Sequence, residues 1–350
     1  MMIRELNYSG APKIFLWLAK SLRSSGHDVT IFTFGDKKPE SICEGISYKH
    51  RFLKEFHFIS NCIYVHRLIK YEKADISISF LLDANIYNLL SCLHTKTKSL
   101  VCERNDPFMP HYYKLKLFKP LFSLADAAVF QLPKVASYYS NIKGKVAIIP
   151  NPVLQKQICN IPKFEDRDYK IVALGRLKIF QKRNDLLLMA FAEFSKSNPK
   201  YTLDIVGDGP DYQKLHKLTN ELNIQNKVNF VGKKNNPIDA IKNARIYVLT
   251  SDFEGIPNTL IEAMSIGLPC VCTDCSPGGA SFLIKNGENG YVVNKGDYKA
   301  IADKLSLIAS NAVLADKLGN NAKKIRNDFN EEKILKMWND FLLKIVDISD

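Results

Sequence analysis

The sequence predicts an α/β protein built from two doubly wound domains with a cleft between them. Three observations predict it. Short β-branched or apolar runs alternate with helix-length amphipathic segments along the whole chain. A stretch rich in Pro, Asn and charge, 150–168, interrupts that alternation near the middle. The chain has 350 residues, which suits two domains of roughly 150 residues each. Strands separated by helices cannot pair as hairpins, so they form parallel sheets covered on both faces.

In the first half the strand runs are 28–33, 75–79, 98–102, 127–130 and 145–149, with helical patterns such as 13–24 and 57–70 between them. Only Met1–Leu6 precedes the first loop, so the first strand is short or the chain start is trimmed. Residues 150–168 have no periodicity and read as a linker. An Asp-x-Asp at Asp166 and Asp168 precedes a strand instead of following one, and it too reads as linker. Strand runs resume at 170–174, 201–206, 227–231, 245–249 and 269–272, separated by helices near 183–197, 211–222 and 258–266. The expected organisation is residues 1–160, a Rossmann-like domain; 161–330, a second Rossmann-like domain; and 331–350, an amphipathic helix able to pack back on the first domain.

Composition narrows the function classes. Hydrophobic residues make up 46% and charged residues 24%, enough apolar material for two cores. No apolar run reaches the roughly 18 residues of a membrane span. The N-terminus lacks the pattern of a signal peptide, so a cytoplasmic location is expected. The cysteines are scattered, several within apolar runs, as in a reducing compartment. Cys270, Cys272 and Cys275 lie close together but lack a second ligand pair at zinc spacing, so no metal site is expected. The net charge is +13, and residues 1–150 hold 21 Lys/Arg against 12 Asp/Glu, a local excess of +9. Such a basic half suits a phosphate-bearing substrate or an anionic membrane surface. Nucleic acid is disfavoured because no nucleic-acid-binding motif is present.

Ligands of doubly wound sheets bind beyond the carboxyl ends of the strands. The loops that follow strands therefore matter most. In 251–269 (SDFEGIPNTLIEAMSIGLP), Glu254 and Gly255 lie on a loop after a strand, Pro257 shapes it, and a helix begins near Asn258. A helix N-terminus offers free N–H groups and a positive dipole end, suited to a diphosphate. Glu262, one turn into that helix, is placed to accept hydrogen bonds from hydroxyls further along a ligand, such as a ribose. In 175–185 (GRLKIFQKRND), Arg176 and Lys182 bring two cations to the same sheet edge, and fixed cations can neutralise a leaving diphosphate. Gly207 and Gly209, in VGDGP, could pack against a ligand or simply form a strand-to-helix turn. Gly10, within NYSGAP at 7–12, lies where Ser9 could cap the first helix or backbone N–H groups could face a ligand.

Taken in order, these elements resemble family 4 of the retaining glycosyltransferases, which have the two-domain GT-B architecture. The resemblance rests on Gly175-Arg176 with Lys182, the VGDGP turn, and the Glu254-to-Glu262 element followed by Ala263 and Gly267-Leu268-Pro269. It continues through Asn286-Gly287 to Val292-Val293. In the first half, Ser9-Gly10-Ala11, Gln131, Ile149-Pro150-Asn151-Pro152 and Glu103-Arg104-Asn105-Asp106-Pro107 are similar to family segments. The last of these is found in members that build bacterial surface polysaccharides. Pro12 stands where the family pattern has Glu. Arg104 stands where many relatives have His, so no general base is assigned there, and Phe282 stands where many have Glu.

The resemblance implies that Arg176 and Lys182 neutralise the departing diphosphate. Glu254 would sit beside the reacting carbon of the donor sugar, and Glu262 would hold the ribose. Backbone groups of Gly255, Ile256, Pro257, Asn258, Thr259 and Leu260 would bind phosphate and sugar hydroxyls, with Gly10, Gly207 and Gly209 lining the donor site. Arg104, Asn105 and Asp106 would lie on the acceptor side. No cofactor or metal is expected. The partners are a nucleotide-sugar donor, a saccharide or lipid-linked saccharide acceptor, and an anionic membrane surface. Two other readings share the fold: a nucleotide-sugar 2-epimerase, and a non-catalytic partner subunit. An oxidoreductase is disfavoured because no G-x-G-x-x-G follows the first strand.

Overall fold

The computed structural model describes residues 1–6, 10–36, 45–53, 57–110, 112–154, 158, 160–234 and 236–346. The chain divides into two compact units, Met1–Pro152 with Glu332–Asp350, and Val153–Glu331. Both are parallel α/β layers, as the alternation predicts.

Among the described residues, seven strands build the first sheet: β1 (Met2–Ile3), β2 (Thr30–Thr33), β3 (Ser47–His50), β4 (Ile76–Phe80), β5 (Lys98–Cys102), β6 (Ala127–Phe130) and β7 (Lys145–Ile148). Their order is β3-β2-β1-β4-β5-β6-β7, so the direction of winding reverses between β1 and β4. The helices of this unit are α1 (Gly10–Ser24), α2 (Phe58–Glu72), α3 (Leu82–Cys92), α4 (Tyr113–Phe118) and α5 (Pro133–Tyr138). The central strands are buried throughout (β1, β6) or from their second residue on (β4, β5), as a sheet covered on both faces requires. Met2 and Ile3 make β1 a two-residue strand, the shorter of the sequence alternatives.

The second sheet has order β10-β9-β8-β11-β12-β13. Its strands are β8 (Asp168–Leu174), β9 (Thr202–Val206), β10 (Val228–Gly232), β11 (Ala244–Leu249), β12 (Cys270–Thr273) and β13 (Tyr291–Val293). Around it lie α6 (Ile179–Lys182), α7 (Asn184–Ser197), α8 (Tyr212–Glu221), α9 (Pro237–Ile241), α10 (Asn258–Ser265), α11 (Gly279–Leu283), α12 (Tyr298–Ser310), α13 (Ala312–Ala322) and α14 (Ile325–Asp328). Ile171, Leu203, Ile246 and Val271 of the strands pack with Leu187, Phe191 and Phe194 of α7 and Ile301 and Leu305 of α12. Winding reverses here between β8 and β11.

The last helix, α15 (Glu331–Val346), buries Ile334, Trp338, Phe341, Leu342 and Ile345 along one face. From Glu332 onward it belongs to the first unit, where the Trp338 and Phe80 rings lie 6.4 Å apart and nearly parallel. Two edge strands were not expected from sequence. β3 is polar and at best half-buried, and β13 has only three residues, so neither leaves an apolar run to read. Strand β2 starts at Thr30, two residues later than the pattern suggested. Residues Asn7, Tyr8 and Ser9 of the NYSGAP segment lie outside the described residues. Gly10, at φ +52°, opens α1.

Candidate active site

The second unit gathers three strand-following loops at the point where its winding reverses. After β8, Gly175 leads into 176–183. A Cβ on Gly175 would sit 3.3 Å from Lys182 Cε, so glycine leaves space for the lysine to fold back over the strand end. Gly207, after β9, is tighter: a Cβ there would lie 1.8 Å from the Gly175 carbonyl oxygen. A Cβ on Gly209 would lie 2.4 Å from the Leu177 carbonyl. These glycines allow two backbones to touch, and the loops are laced together by Gly175 N–H to Val206 O (3.0 Å) and Leu177 N–H to Asp208 O (3.0 Å). The Asp211 carboxylate accepts from the Ile179 N–H at 2.9 Å, and chiefly that bond holds its pKa below the ordinary value.

Lys182 closes the short helix α6 and donates through Nζ to Glu254 Oε1. Ser251 Oγ donates to the same carboxylate oxygen at 2.9 Å. Both charged side chains are largely buried, at 16% and 13% exposure, so the pair is only lightly screened by water. The backbone fixes their approach. The Asp252 N–H donates to Gln181 O at 2.9 Å, Gln181 Nε2 donates to Phe253 O at 3.2 Å, and Thr250 Oγ1 donates to Lys182 O at 2.8 Å. Arg183 adds a side-chain tie, donating to Asp252 and Asp185. Beneath them, the buried Asn184 keeps Oδ1 without a partner among the described residues, in a crease it shares with Gly175, Lys182 and Thr250.

The glutamate loop is held from its other side by the loop after β12. The Glu254 N–H donates to Ser276 O at 2.8 Å, and a Cβ on Gly279 would lie 1.8 Å from Gly255 O. Helix α10 then starts after Pro257, with no side chain capping its first turn. The Leu260 and Ile261 N–H groups turn back to Pro257 O, at 3.1 and 3.2 Å. Glu262 is half-buried one turn along α10, apart from the Lys182–Glu254 pair in sequence and on a different element. The fully buried Tyr247 donates its hydroxyl to Thr259 Oγ1 at 2.8 Å. Arg176 is exposed, and its guanidinium forms no ion pair among the described residues.

The C-terminal end of α10 is clamped as firmly. Arg167 Nη2 donates to Ile266 O at 2.7 Å and Nη1 to Gly267 O at 3.1 Å, while Arg326 Nε donates to Ser265 O. Cations there oppose the negative end of the helix dipole. Sequence reasoning missed Arg167, Ser251, Asn184 and Gly279. Ser251 lay within a segment already singled out. Asn184 lay within another, and Arg167 and Gly279 act through partners far away in sequence.

In the first unit, the segment after β5 is a buried polar knot. Glu103 Oε1 accepts from the Arg104 and Asn105 N–H groups, each at 3.0 Å. Burial pushes the Glu103 carboxyl up to about 7, against those two amides, which pull it down. Arg104 is buried over the Phe80 ring, 4.6 Å from its centroid, and donates to Asn151 Oδ1 at 3.1 Å. Asp106 is buried too and accepts from the Phe108 N–H at 2.9 Å. Of the three acceptor-side residues, only Asn105 is exposed. Phe282 is half-exposed and packs near Phe329.

Comparison with known proteins follows this geometry. Residues 155–325 match the model described as Glycosyl transferases group 1, and residues 8–154 match that of Glycosyltransferase Family 4. The chain is 28% identical over 351 residues to a Campylobacter jejuni protein, covering 96% of each. That relative is a GalNAc-alpha-(1->4)-GalNAc-alpha-(1->3)-diNAcBac-PP-undecaprenol alpha-1,4-N-acetyl-D-galactosaminyltransferase. This chain is also 34% identical over 174 residues to the lipopolysaccharide 1,6-galactosyltransferase of Salmonella typhimurium, covering 48% of this chain and 47% of that one. Among solved structures, Anabaena HepE with UDP and glucose superposes with TM-score 0.84 at 17% identity, covering 98% of each chain. The apo lipopolysaccharide galactosyltransferase WaaB does so with TM-score 0.78 at 22% identity, also covering 98% of each. With a family 4 first unit, a group 1 second unit and this shared fold, the chain belongs to the GT-B glycosyltransferases.

Proposed function

We propose that this chain is a retaining, metal-independent transferase. It would move a hexose or N-acetylhexosamine from a nucleotide sugar, a UDP-sugar by preference, to a saccharide or lipid-linked saccharide acceptor in surface-polysaccharide assembly. The observation that carries the reading is the Lys182–Glu254–Ser251 cluster at the winding reversal of the second sheet, beside an uncapped helix N-terminus. The relative from C. jejuni acts on an undecaprenol-linked acceptor, and HepE has been solved with UDP and glucose. Both support the choice of substrates.

In this reading the diphosphate lies against the first N–H groups of α10, with Arg176 and Lys182 meeting the charge that grows on it as the sugar leaves. These fixed cations do the work a divalent ion does in other transferases. Glu254 faces the sugar carbon where positive charge builds, and the contact with Lys182 keeps that carboxylate aimed. Glu262 takes the ribose hydroxyls. Arg104 and Asp106, being buried, would shape the acceptor loop, and Asn105 would present it.

The test is a panel of nucleotide sugars screened for protection against thermal unfolding, since a ligand that binds only the folded state raises its stability. The best stabiliser is then assayed for release of nucleoside diphosphate with and without saccharide acceptors. Release that depends on acceptor supports the transferase. Conversion of the donor to its 2-epimer without acceptor would replace this reading with the epimerase. No protection by any nucleotide sugar would indicate a non-catalytic subunit.

A further inference from the structure

Between Lys182 and helix α7 the chain passes through Arg183, which sits in the left-handed region at φ +49°. That conformation is costly for a residue with a side chain, and ion pairs to Asp185 and Asp252 tie the Arg183 guanidinium down. The turn sets Asn184, the first residue of α7, in one crease with Gly175, Lys182, Thr250 and Ser251.

The Asn184 side chain is buried, at 5% exposure, and the next residues but one, Leu186, Leu187 and Leu188, are buried and apolar. Its Oδ1 has no hydrogen-bond partner among the described residues. The two hydroxyl residues of the crease donate elsewhere, Thr250 Oγ1 to Lys182 O at 2.8 Å and Ser251 Oγ to Glu254 Oε1 at 2.9 Å. A buried amide oxygen without a donor destabilises a fold, and an apolar side chain of the same size does not. Packing of α7 therefore gives no reason for an amide at this position.

The crease supplies one. Its volume is about 10 Å³, close to the room that one water needs. The Lys182 ammonium lies over Gly175, where a Cβ would stand 3.4 Å from Nζ, and an ammonium donates more than the single bond seen to Glu254. The same ammonium would repel a metal ion, and no organic group fits so small a space. A water there would pair the oxygen that lacks a donor with a donor that has capacity left.

We infer that Asn184 is a positioning residue for Lys182, acting through one buried water that donates to Asn184 Oδ1 and accepts from Lys182 Nζ. A lysine stem is flexible, and the contact with Glu254 fixes its ammonium from one side only. The bridge fixes it from a second side, at the place where charge on a leaving diphosphate is to be met. The consequence for turnover rests on the transferase reading, whereas the water and the placement of the lysine do not.

The first measurement is a crystal structure of the full chain at a resolution that shows ordered water. One water within hydrogen-bond reach of both Asn184 Oδ1 and Lys182 Nζ is expected. A crease without it, or a water that touches Asn184 alone, would overturn the inference. The second measurement compares Asn184→Leu with Asn184→Asp, using the nucleotide sugar that protects best and its acceptor. Leucine removes the unpaired oxygen at similar volume, so the unfolding midpoint should hold or rise. Turnover should nevertheless fall about ten- to a hundredfold, the scale of misplacing a reacting group by about 1 Å. The donor KM should stay nearly unchanged, as for a contact that matters in the transition state. Asn184→Asp keeps an acceptor oxygen and should recover most of the turnover. A lower midpoint with turnover intact in Asn184→Leu would leave Asn184 a purely structural role, and equal losses in the two variants would show that the oxygen does not matter. Either result would overturn the assignment. If the unaltered chain turns over no donor, the transferase reading has failed, and the crystallographic result decides the inference by itself.

Discussion

Lys182 and Glu254 stand 72 residues apart in sequence, and Lys182 Nζ donates directly to Glu254 Oε1. The contact is made by two loops at one sheet edge, each pinned by backbone hydrogen bonds to the other. The cation proposed to neutralise a leaving diphosphate is therefore held by the carboxylate proposed to face the sugar.

Lys182→Ala and Arg176→Ala should each lower turnover by about 10²- to 10³-fold, the scale of losing one preorganised group that meets transition-state charge. Circular dichroism should show the fold intact. Arg176→Ala removes a side chain with no ion pair among the described residues and should not alter stability. Lys182→Ala leaves Glu254 largely buried beside the Ser251 hydroxyl, without its cation, and should lower the unfolding midpoint. Loss of activity to chelators, restored by magnesium or manganese, would refute the metal-independent step.

The two glutamates should fail differently. Glu254→Gln keeps a hydrogen-bond acceptor for Lys182 but removes the negative charge, so turnover should fall strongly with little change in UDP affinity. Glu262→Gln, on α10, should weaken UDP itself. Titration of UDP against both variants separates them, and equal losses of UDP affinity would contradict the assigned roles.

The sequence shows the fold because each buried strand is a continuous apolar run and each helix an amphipathic one. It shows the candidate donor-side residues because Gly175, Arg176 and Lys182 lie within one short strand-following segment, and Glu254 to Glu262 within another. Arg167 could not be read in the same way. Its carbonyl partners are 99 and 100 residues away, and locally it is one charge inside a polar linker. Burial of Arg104 against Phe80 and Trp338 depends on α15 joining the first unit, which an amphipathic pattern cannot specify.

Arg167 should prove to be a positioning residue for α10. Arg167→Leu removes three hydrogen bonds from a charged, buried donor, two of them to carbonyls at the end of α10, each worth roughly 1.5–3 kcal/mol. The denaturation midpoint should drop, and the KM for the donor should rise as the N-terminus of α10 loses its alignment. Arg167→Lys should recover little, because an ammonium cannot reproduce the guanidinium fork on two carbonyls. An unchanged donor KM in a folded Arg167→Leu protein would leave Arg167 a purely structural role.

Glu103 should make stability depend on pH. Its carboxyl titrates at about 7 in the folded chain, against an ordinary value of 4.5. Between those values the folded chain keeps a proton that the unfolded chain has released, so stability falls as pH rises through the window. The contribution is whole below the lower value and lost above the upper one, at about 1.4 kcal/mol for each tenfold difference in proton affinity. Glu103→Gln, which mimics the neutral acid, should flatten this decline between pH 4.5 and 7. Parallel stability curves for the two proteins would show that Glu103 titrates normally.

Peripheral membrane association through the first unit is the last expectation. Residues 1–150 carry 21 Lys/Arg against 12 Asp/Glu. Helix α2 exposes Ile59 and Ile63, one turn apart, and Tyr71, while α4 exposes Tyr113 and Leu117, also one turn apart, beside Lys114 and Lys116. No described helix is long and apolar enough to cross a membrane, so attachment by these helices would be at the surface. Aromatic and aliphatic side chains would enter the interface while each nearby basic residue adds about 1 kcal/mol at an anionic bilayer. Sedimentation with vesicles should therefore show binding that requires anionic lipid and weakens as salt screens the charges. Changing Lys114, Lys116 and Lys119 together to Gln should weaken it, and Ile59→Ser with Ile63→Ser should weaken the part that survives high salt. No binding to anionic vesicles at low salt would point instead to an acceptor free in solution.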